Sequence, residues 1–303
     1  MRFFHPLVRE LAWCIGSNPL MAEHRKSQRY NTLGERWFRD QFEAHLPWLE
    51  ALDEHPKPLE DFLEEHPTRL LGKRFELLIR FWLEQSPHFR LHASGVPLYD
   101  AGKTVGEVDF ILEEVDSGTW THLEVACKFY LGYNNSKQWH DWRGPNAQDT
   151  LKLKMDKLDR QLSSLETPAG QAFLQEKRWH APAPALLMKG YLFHHYRDVL
   201  THNPPSFSHP GYPAGFWFWL HEAQDFFRSE GWWVLLPKRS WLAPVWSLEG
   251  ELEVLDNHAA RGQLAEAIHT YRRGVMLVAV ERRGNMIEER MRGFVVPNAW
   301  PGK

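Results

Sequence analysis

Two neighbouring segments in the middle of the chain alternate between polar and apolar residues. Residues 106–112 have the sequence Gly-Glu-Val-Asp-Phe-Ile-Leu, and residues 122–130 have the sequence His-Leu-Glu-Val-Ala-Cys-Lys-Phe-Tyr. A period of two with many β-branched and aromatic residues predicts two β-strands. The run Asp116-Ser117-Gly118 between them predicts a hairpin turn. The polar side chains of both strands are therefore expected on one side of one sheet.

Alternation also predicts which residues share a face. In the first strand, Glu107 and Asp109 are expected on one face, and the opposite face holds Val108, Phe110 and Leu112. In the second strand, the polar face surrounds the small Ala126 and consists of His122, Glu124, Lys128 and Tyr130. Its opposite face is an unbroken apolar row of Leu123, Val125, Cys127 and Phe129.

A longer period predicts a helix before these strands. Its buried stripe has spacings of 4, 3 and 4 and consists of Leu71, Phe75, Leu78 and Trp82. This pattern predicts a helix over 68–85, with Thr68 as its N-cap. On its other side, Glu76 is placed to form an i,i+4 ion pair with Arg80.

A second helix and two further strands complete the predicted core. The helix has apolar spacings of 4, 3, 4 and 3, set by Leu151, Met155, Leu158, Leu162 and Leu165. Residues 91–99 predict an edge strand, because Gly95 and Pro97 interrupt it. Residues 185–195 predict a last strand, which is parallel to the strand of Glu124 because a helix crosses between them.

The elements predict an α/β fold in three parts. Residues 67–200 form the core, in the order helix, three-stranded meander, helix, strand. Residues 1–66 form a helical segment packed on that core. Residues 201–303 form an aromatic-rich α+β extension that continues the core and ends in a hairpin of residues 275–296.

Composition and charge restrict the classes of function. A formal net charge of −3 over 303 residues excludes a generally basic surface, so a nucleic-acid partner needs a local basic patch. Two cysteines exclude a disulfide framework. Without a long apolar run or a signal peptide, the chain is expected in the cytoplasm and away from membranes. Without a glycine-rich phosphate loop or dinucleotide fingerprint, no nucleotide cofactor is expected.

One region combines basic and amide side chains suited to nucleic acid. The candidate contacts are Lys137, Arg143, Gln148, Lys152 and Lys157. Interleaved aspartates leave a solvated helix face as an equal alternative. A second basic run, residues 24–29, is interpreted as a solvated loop, with phosphate contact as its alternative.

The three carboxylates on the polar sheet face require compensation, because like charges at close range repel. A divalent cation bound between the carboxylates would neutralise this repulsion. Oxygen ligands from Asp109, Glu124, the Val125 carbonyl and Glu107 suit Mg²⁺ or Mn²⁺, with Lys128 directed at the attacking water. The alternative is an ion-pair ladder on a half-exposed sheet.

These motifs carry a resemblance. The element order, with Glu76 on the helix, Asp109, Glu124 and Lys128 on the strands, resembles the core of the PD-(D/E)XK nuclease superfamily. The runs at 72–76, 106–110, 122–130 and 144–146 resemble an uncharacterised bacterial family, domain of unknown function 1853, which is grouped with those nucleases.

The resemblance implies a metal-dependent nuclease, with DNA favoured over RNA. Asp109 and Glu124 become the metal ligands, Lys128 the catalytic lysine, and Glu76 the acid on the preceding helix. The superfamily usually has a lysine two residues after the second acid, where this chain has Ala126. An inactive nuclease-like module that binds nucleic acid or a protein therefore stays as the alternative, and a homodimer is also open.

Overall fold

The computed structural model describes residues 3–23, 30–134, 136–199 and 205–302, so the basic run at 24–29 lies outside the described residues. The described residues form eight α-helices, namely α1 (Pro6–Gly16), α2 (Glu35–Glu54), α3 (Lys57–Glu65), α4 (Leu71–Gln85), α5 (Leu151–Leu162), α6 (Pro168–Lys177), α7 (Ala223–Phe226) and α8 (Asn257–Tyr271). None of these helices combines the length and apolarity that crossing a bilayer requires.

The strands found within the same described ranges number eleven. They are β1 (Asn31–Thr32), β2 (Phe89–Asp100), β3 (Lys103–Glu114), β4 (Thr119–Gly132), β5 (Trp142–Arg143), β6 (Ala183–His195), β7 (Ala214–Trp219), β8 (Trp232–Leu236), β9 (Trp246–Leu248), β10 (Val275–Arg283) and β11 (Met286–Val296). The predicted turn at 116–118 and the closing hairpin are both present. The α/β class is therefore confirmed.

All of these strands belong to one mixed sheet. Its main path is β2-β3-β4-β6-β7-β11-β10-β8, while β1 adds to β6, β5 to β4 and β9 to β11. Strands β4 and β6 are parallel, as the predicted helical crossover requires. The parallel pairing of β6 with β7 brings the strands of the C-terminal third into the same sheet as the meander.

Helix α4 lies against the apolar face of β4. Its predicted stripe, from Leu71 to Trp82, is buried in the same core cluster as Val125 and Cys127. The helix begins at Leu71 and not at Thr68, whose hydroxyl accepts a hydrogen bond from the Leu70 N–H at 3.1 Å. The predicted Thr68 cap is therefore wrong, because its hydroxyl closes a turn just before the helix.

The ion pairs on α4 also differ from the predicted one. Glu76 pairs with Lys73, one turn earlier, and Arg80 pairs with Glu84 at 2.7 Å. Both alternatives satisfy the i,i+3 or i,i+4 geometry of a helix surface, so periodicity could not choose between them.

Strand β3 departs from strict alternation at Asp109. Val108 is buried in the same cluster as Ile111, beside α6, whereas Phe110 is buried in the central cluster. The predicted common face for Val108 and Phe110 is therefore wrong. Gly95 stands between the β2 partners of those two residues and has φ +59, and the β2–β3 register shifts on both sides of it, between Leu91 and Ala93 and between Leu98 and Tyr99.

Candidate active site

The two acids of the predicted site lie where β3 separates from β4. The ladder between these strands runs from Glu114 and Thr119 to Phe110 and Leu123 and is not continued beyond that pair. The Asp109 carboxylate accepts a hydrogen bond from the Val125 N–H at 2.9 Å, and Glu124 Oε1 accepts one from the Asp109 N–H at 3.2 Å. Beyond this pair, hydrogen bonds from backbone N–H groups to two acidic side chains therefore take the place of backbone hydrogen bonds between the strands.

Glu124 is fully buried, with 0% of its surface exposed. Its Oε1 lies 2.9 Å from His122 Nε2, in addition to the Asp109 N–H. Its Oε2 is also buried but has no hydrogen-bond partner among the described residues. A buried carboxylate oxygen without a partner is costly, and this oxygen is therefore a free ligand position.

Burial sets the protonation of the pair. It raises the pKa of Asp109 to about 8, with further help from the charge of Glu124. It likewise raises the pKa of Glu124 to about 7. Burial lowers the pKa of His122 to about 4, so this ring is neutral and donates to Glu124 through Nε2. At neutral pH the metal-free pair therefore holds a proton, which Asp109 donates to Glu124.

This donor set fits a hard divalent cation. The Asp109 and Glu124 side chains are hydrogen-bonded to each other, and the Val125 carbonyl lies on the same strand edge as the Val125 N–H that Asp109 accepts from. No group of three His, Cys, Asp or Glu side chains within the described ranges is arranged to hold a metal ion. Two carboxylates with a carbonyl and water are the ligands that Mg²⁺ takes in proteins, so the residues fit.

The other two predicted acids lie around this pair. Glu107 is exposed, and its Oε1 would lie 3.8 Å from a Cβ atom built on Gly95 of β2. Its charge contributes to the raised pKa of Glu124 without completing a third side-chain ligand. Glu76 is partly buried on α4, and its charge contributes to the raised pKa of Asp109.

Lys128 lies farther along β4 than the acid pair. Its ammonium forms an ion pair with Asp149, which also accepts from the Tyr130 hydroxyl at 3.3 Å. Asp149 lies just before α5, so the structure places the Lys128 ammonium at the start of that helix. The predicted role of Lys128 toward the attacking water stays a prediction, and the contact that the structure shows for its ammonium is the one with Asp149.

Helix α5 occupies the space above Ala126. Ala126 is buried in one cluster with Leu151 and Met155, so a longer side chain at this position would meet the helix. From the same helix, the half-buried Lys154 lies within electrostatic reach of Asp109 and Glu124.

Lys154 is a candidate site residue that the sequence prediction missed. Burial and the neighbouring charges of Lys128 and Lys157 lower its pKa to about 8, while the acid pair opposes the shift. In the sequence, its neighbours Lys152 and Lys157 were candidate contacts for nucleic acid, and Lys154 was not among the candidates. It stands three residues after Leu151 and four before Leu158, and this spacing was a signal for a place beside the buried stripe.

The residues predicted to contact nucleic acid lie on and before α5. The exposed side chains among them are Lys137, Gln148, Lys152 and Lys157. Lys152 forms an ion pair with Asp156 at 2.6 Å. Arg143 is half-buried on β5, opposite Leu131 of β4. Of these five residues, Gln148 is the neighbour in sequence of Asp149, the partner of Lys128.

The comparisons with known proteins define the family and no function. No curated protein and no solved structure matches the chain. A family model with the description "Domain of unknown function (DUF1853)" matches residues 9–296, from within α1 to the end of β11. The chain therefore belongs to this family, domain of unknown function DUF1853.

Proposed function

We propose that this chain is a metal-dependent nuclease that hydrolyses phosphodiester bonds in nucleic acid, with DNA as the favoured substrate. The observation that carries the proposal is the buried Glu124, whose Oε2 has no partner within the described residues and which is hydrogen-bonded to Asp109. The order α4, β2-β3-β4, α5, β6 supports a restriction-endonuclease-like core of the PD-(D/E)XK type.

Asp109, Glu124 and the Val125 carbonyl would hold Mg²⁺ or Mn²⁺. When bound, such a cation polarises a phosphoryl oxygen and lowers the pKa of a water molecule. The protein keeps this site dry and fixes its ligands, because the Val125 N–H and the His122 ring each hold one carboxylate in place.

Lys154 takes the catalytic place that Ala126 leaves empty. Its pKa near 8 allows it to exchange a proton close to neutral pH, as a group that accepts a proton from the attacking water must. The Lys128 ammonium, held by Asp149, stabilises the substrate backbone next to the reacting phosphate. Glu76 and Glu107 adjust the charge around the pair.

The test is cleavage of a plasmid and of a labelled oligonucleotide in Mg²⁺ or Mn²⁺. The wild type should cleave, whereas Asp109→Asn and Glu124→Gln should not cleave measurably above background, and Lys154→Met should cleave about 10²- to 10⁴-fold more slowly. Glu113→Gln is a matched control, because Glu113 lies four residues after Asp109 on β3 and is held by Arg90 and His92. Equal cleavage by Glu124→Gln and Glu113→Gln would overturn the proposal.

The assay also tests the alternative of a nuclease-like binding module. If the wild type binds nucleic acid in the presence of Mg²⁺ or Mn²⁺ but does not cleave it, the result would support that module. The engagement of Lys128 by Asp149 is the observation that favours it.

A further inference from the structure

A groove between the predicted core and the C-terminal third begins at Lys128. It has a volume of about 740 Å³ and is lined, among others, by Gly72, Lys128, Asn146, Lys238, Tyr271 and Arg273. We call it the Tyr271 groove. Its volume is in the range of sites that hold a small organic group such as a nucleotide base.

The charged lining of the Tyr271 groove favours an anion. Three cationic side chains, Lys128, Lys238 and Arg273, face one carboxylate, Asp149, which Lys128 already neutralises. Lys238 and Arg273 form no ion pair with any carboxylate in the part of the chain that the structure describes. The groove therefore holds two uncompensated positive charges.

One aromatic ring is open to solvent at this groove. Tyr271 ends α8 and is 60% exposed, and the Arg273 guanidinium carbon lies 5.2 Å from its ring centroid. Arg272, with φ +53, turns the chain between them. An exposed ring beside an arginine is the arrangement on which bases of single-stranded nucleic acid stack.

The wall of the groove is fixed by contacts with the C-terminal third. The Trp300 ring N–H donates to the Gly144 carbonyl at 3.2 Å. A Cβ atom at Gly274 would lie 3.1 Å from the Pro145 Cβ atom, so these two chain segments are closely packed. The loop of residues 144–146 is therefore held in place beside Lys128.

The groove is also close to the proposed site of cleavage. Lys128 lies four residues after Glu124 on the same strand, which is about 13 Å. Gly72 lies one helical turn before Glu76 on α4. A short stretch of single strand can connect the two places, while the bases of a duplex are not free to stack on Tyr271.

We propose that the Tyr271 groove binds an unpaired nucleotide of a single-stranded nucleic-acid segment, with its base on Tyr271 and its phosphates at Arg273 and Lys238. This inference rests on the proposed nuclease function. It gives that function a substrate class, namely nucleic acid with a single-stranded stretch beside the scissile bond.

The experiment measures binding without cleavage. Full-length Glu124→Gln protein in EDTA is titrated against a fluorescent single-stranded oligonucleotide and against a blunt hairpin duplex, with anisotropy as the signal. Adding Tyr271→Ala should weaken single-strand binding about 5- to 150-fold, the range for loss of one stacked base. Tyr271→Phe should keep it, since the ring remains, and Arg273→Ala should lower the logarithmic salt slope by about 0.7.

The chain offers a matched control pair at the other end of β8. The Arg282 guanidinium carbon lies 4.8 Å from the ring centroid of Trp232, which is 44% exposed. Trp232→Ala and Arg282→Ala should leave single-strand binding within twofold of the parent. Unchanged binding by Tyr271→Ala, or an equal loss for Trp232→Ala, would overturn the assignment.

Cleavage by the otherwise wild-type chain separates the two proposals. Cleavage together with unchanged binding by Tyr271→Ala refutes the groove and leaves the nuclease function standing. Tyr271-dependent binding of single strands without any cleavage supports the groove and refutes the nuclease function.

Discussion

The substitution Asp109→Asn should change how the stability of the metal-free protein depends on pH. Burial raises the pKa of Asp109 from an ordinary 3.8 to about 8 in the folded chain. The contribution of this group to the free energy of unfolding is fully present when the pH is below its pKa in the unfolded chain. It is lost as the pH rises through its pKa in the folded chain. Between these values the folded chain holds a proton that the unfolded chain has released, so stability falls with rising pH.

The useful window runs from about pH 6.5 to 8. Above 6.5, the ordinary pKa of histidine, His122 is neutral in the folded state and loses its remaining proton in the unfolded state, so its contribution decreases across the window. Below about 8, Lys154 is mostly charged in both states. Glu124, with a pKa of about 7, titrates inside the window in the wild type and in Asp109→Asn, so the difference between the two curves reports Asp109. One proton contributes about 1.4 kcal/mol for each pH unit, so the wild type should lose about 2 kcal/mol more than Asp109→Asn across this window.

The assay is urea unfolding in EDTA at pH 6.5, 7.25 and 8, followed by tryptophan fluorescence. Asp61→Asn is the control, because Asp61 is an exposed carboxylate on α3 that pairs with Lys57. Mn²⁺ at a hundredfold excess over its dissociation constant should add about 2.7 kcal/mol to the wild type and almost nothing to Asp109→Asn. Parallel curves for wild type and Asp109→Asn would refute the buried, protonated pair.

Three further substitutions test separate parts of the account. Lys154→Met should lower the cleavage rate about 10²- to 10⁴-fold, whereas Lys177→Met at the end of α6 should leave it unchanged. Single-turnover rates decide between a catalytic and a merely structural role of Lys154. Gly190→Ala should destabilise the fold by about 2–5 kcal/mol in urea unfolding, because its Cβ atom would overlap the Lys128 carbonyl. Gly118→Ala is the control, because the space around Gly118 is open and the substitution adds only the backbone strain of φ +65. Arg292→Met should cost about 3–5 kcal/mol in the same assay, since it leaves the buried carboxylate of Glu289 without a cation. A loss below about 1 kcal/mol would contradict the importance of that ion pair.

The sequence predicted the elements around the site because their patterns are local. The two strands, the turn at Asp116–Gly118 and the stripe of α4 each depend on spacings within one element. The parallel pairing of β4 with β6 followed from a general rule on crossovers. The acid pair could be predicted for the same reason, since Asp109 and Glu124 lie on neighbouring strands of one hairpin.

Long-range contacts decide the parts that could not be predicted. Lys128 forms an ion pair with Asp149, twenty-one residues later, because the start of α5 lies beside β4. Lys154 approaches the acid pair because α5 packs over Ala126, and one-dimensional spacing cannot show which helix covers which strand position. The Tyr271 groove needs β10 and α8 beside the loop of residues 144–146, which only the full sheet order provides.

The central claim is that Asp109 and Glu124 together hold a divalent cation. Anomalous diffraction from crystals grown or soaked in Mn²⁺ tests it most directly, because it locates the metal itself. We expect one strong peak about 2 Å from Glu124 Oε2 and from an Asp109 carboxyl oxygen, and we expect no such peak in Glu124→Gln crystals. A site without a peak at saturating Mn²⁺, or a peak that persists there in Glu124→Gln, would contradict it.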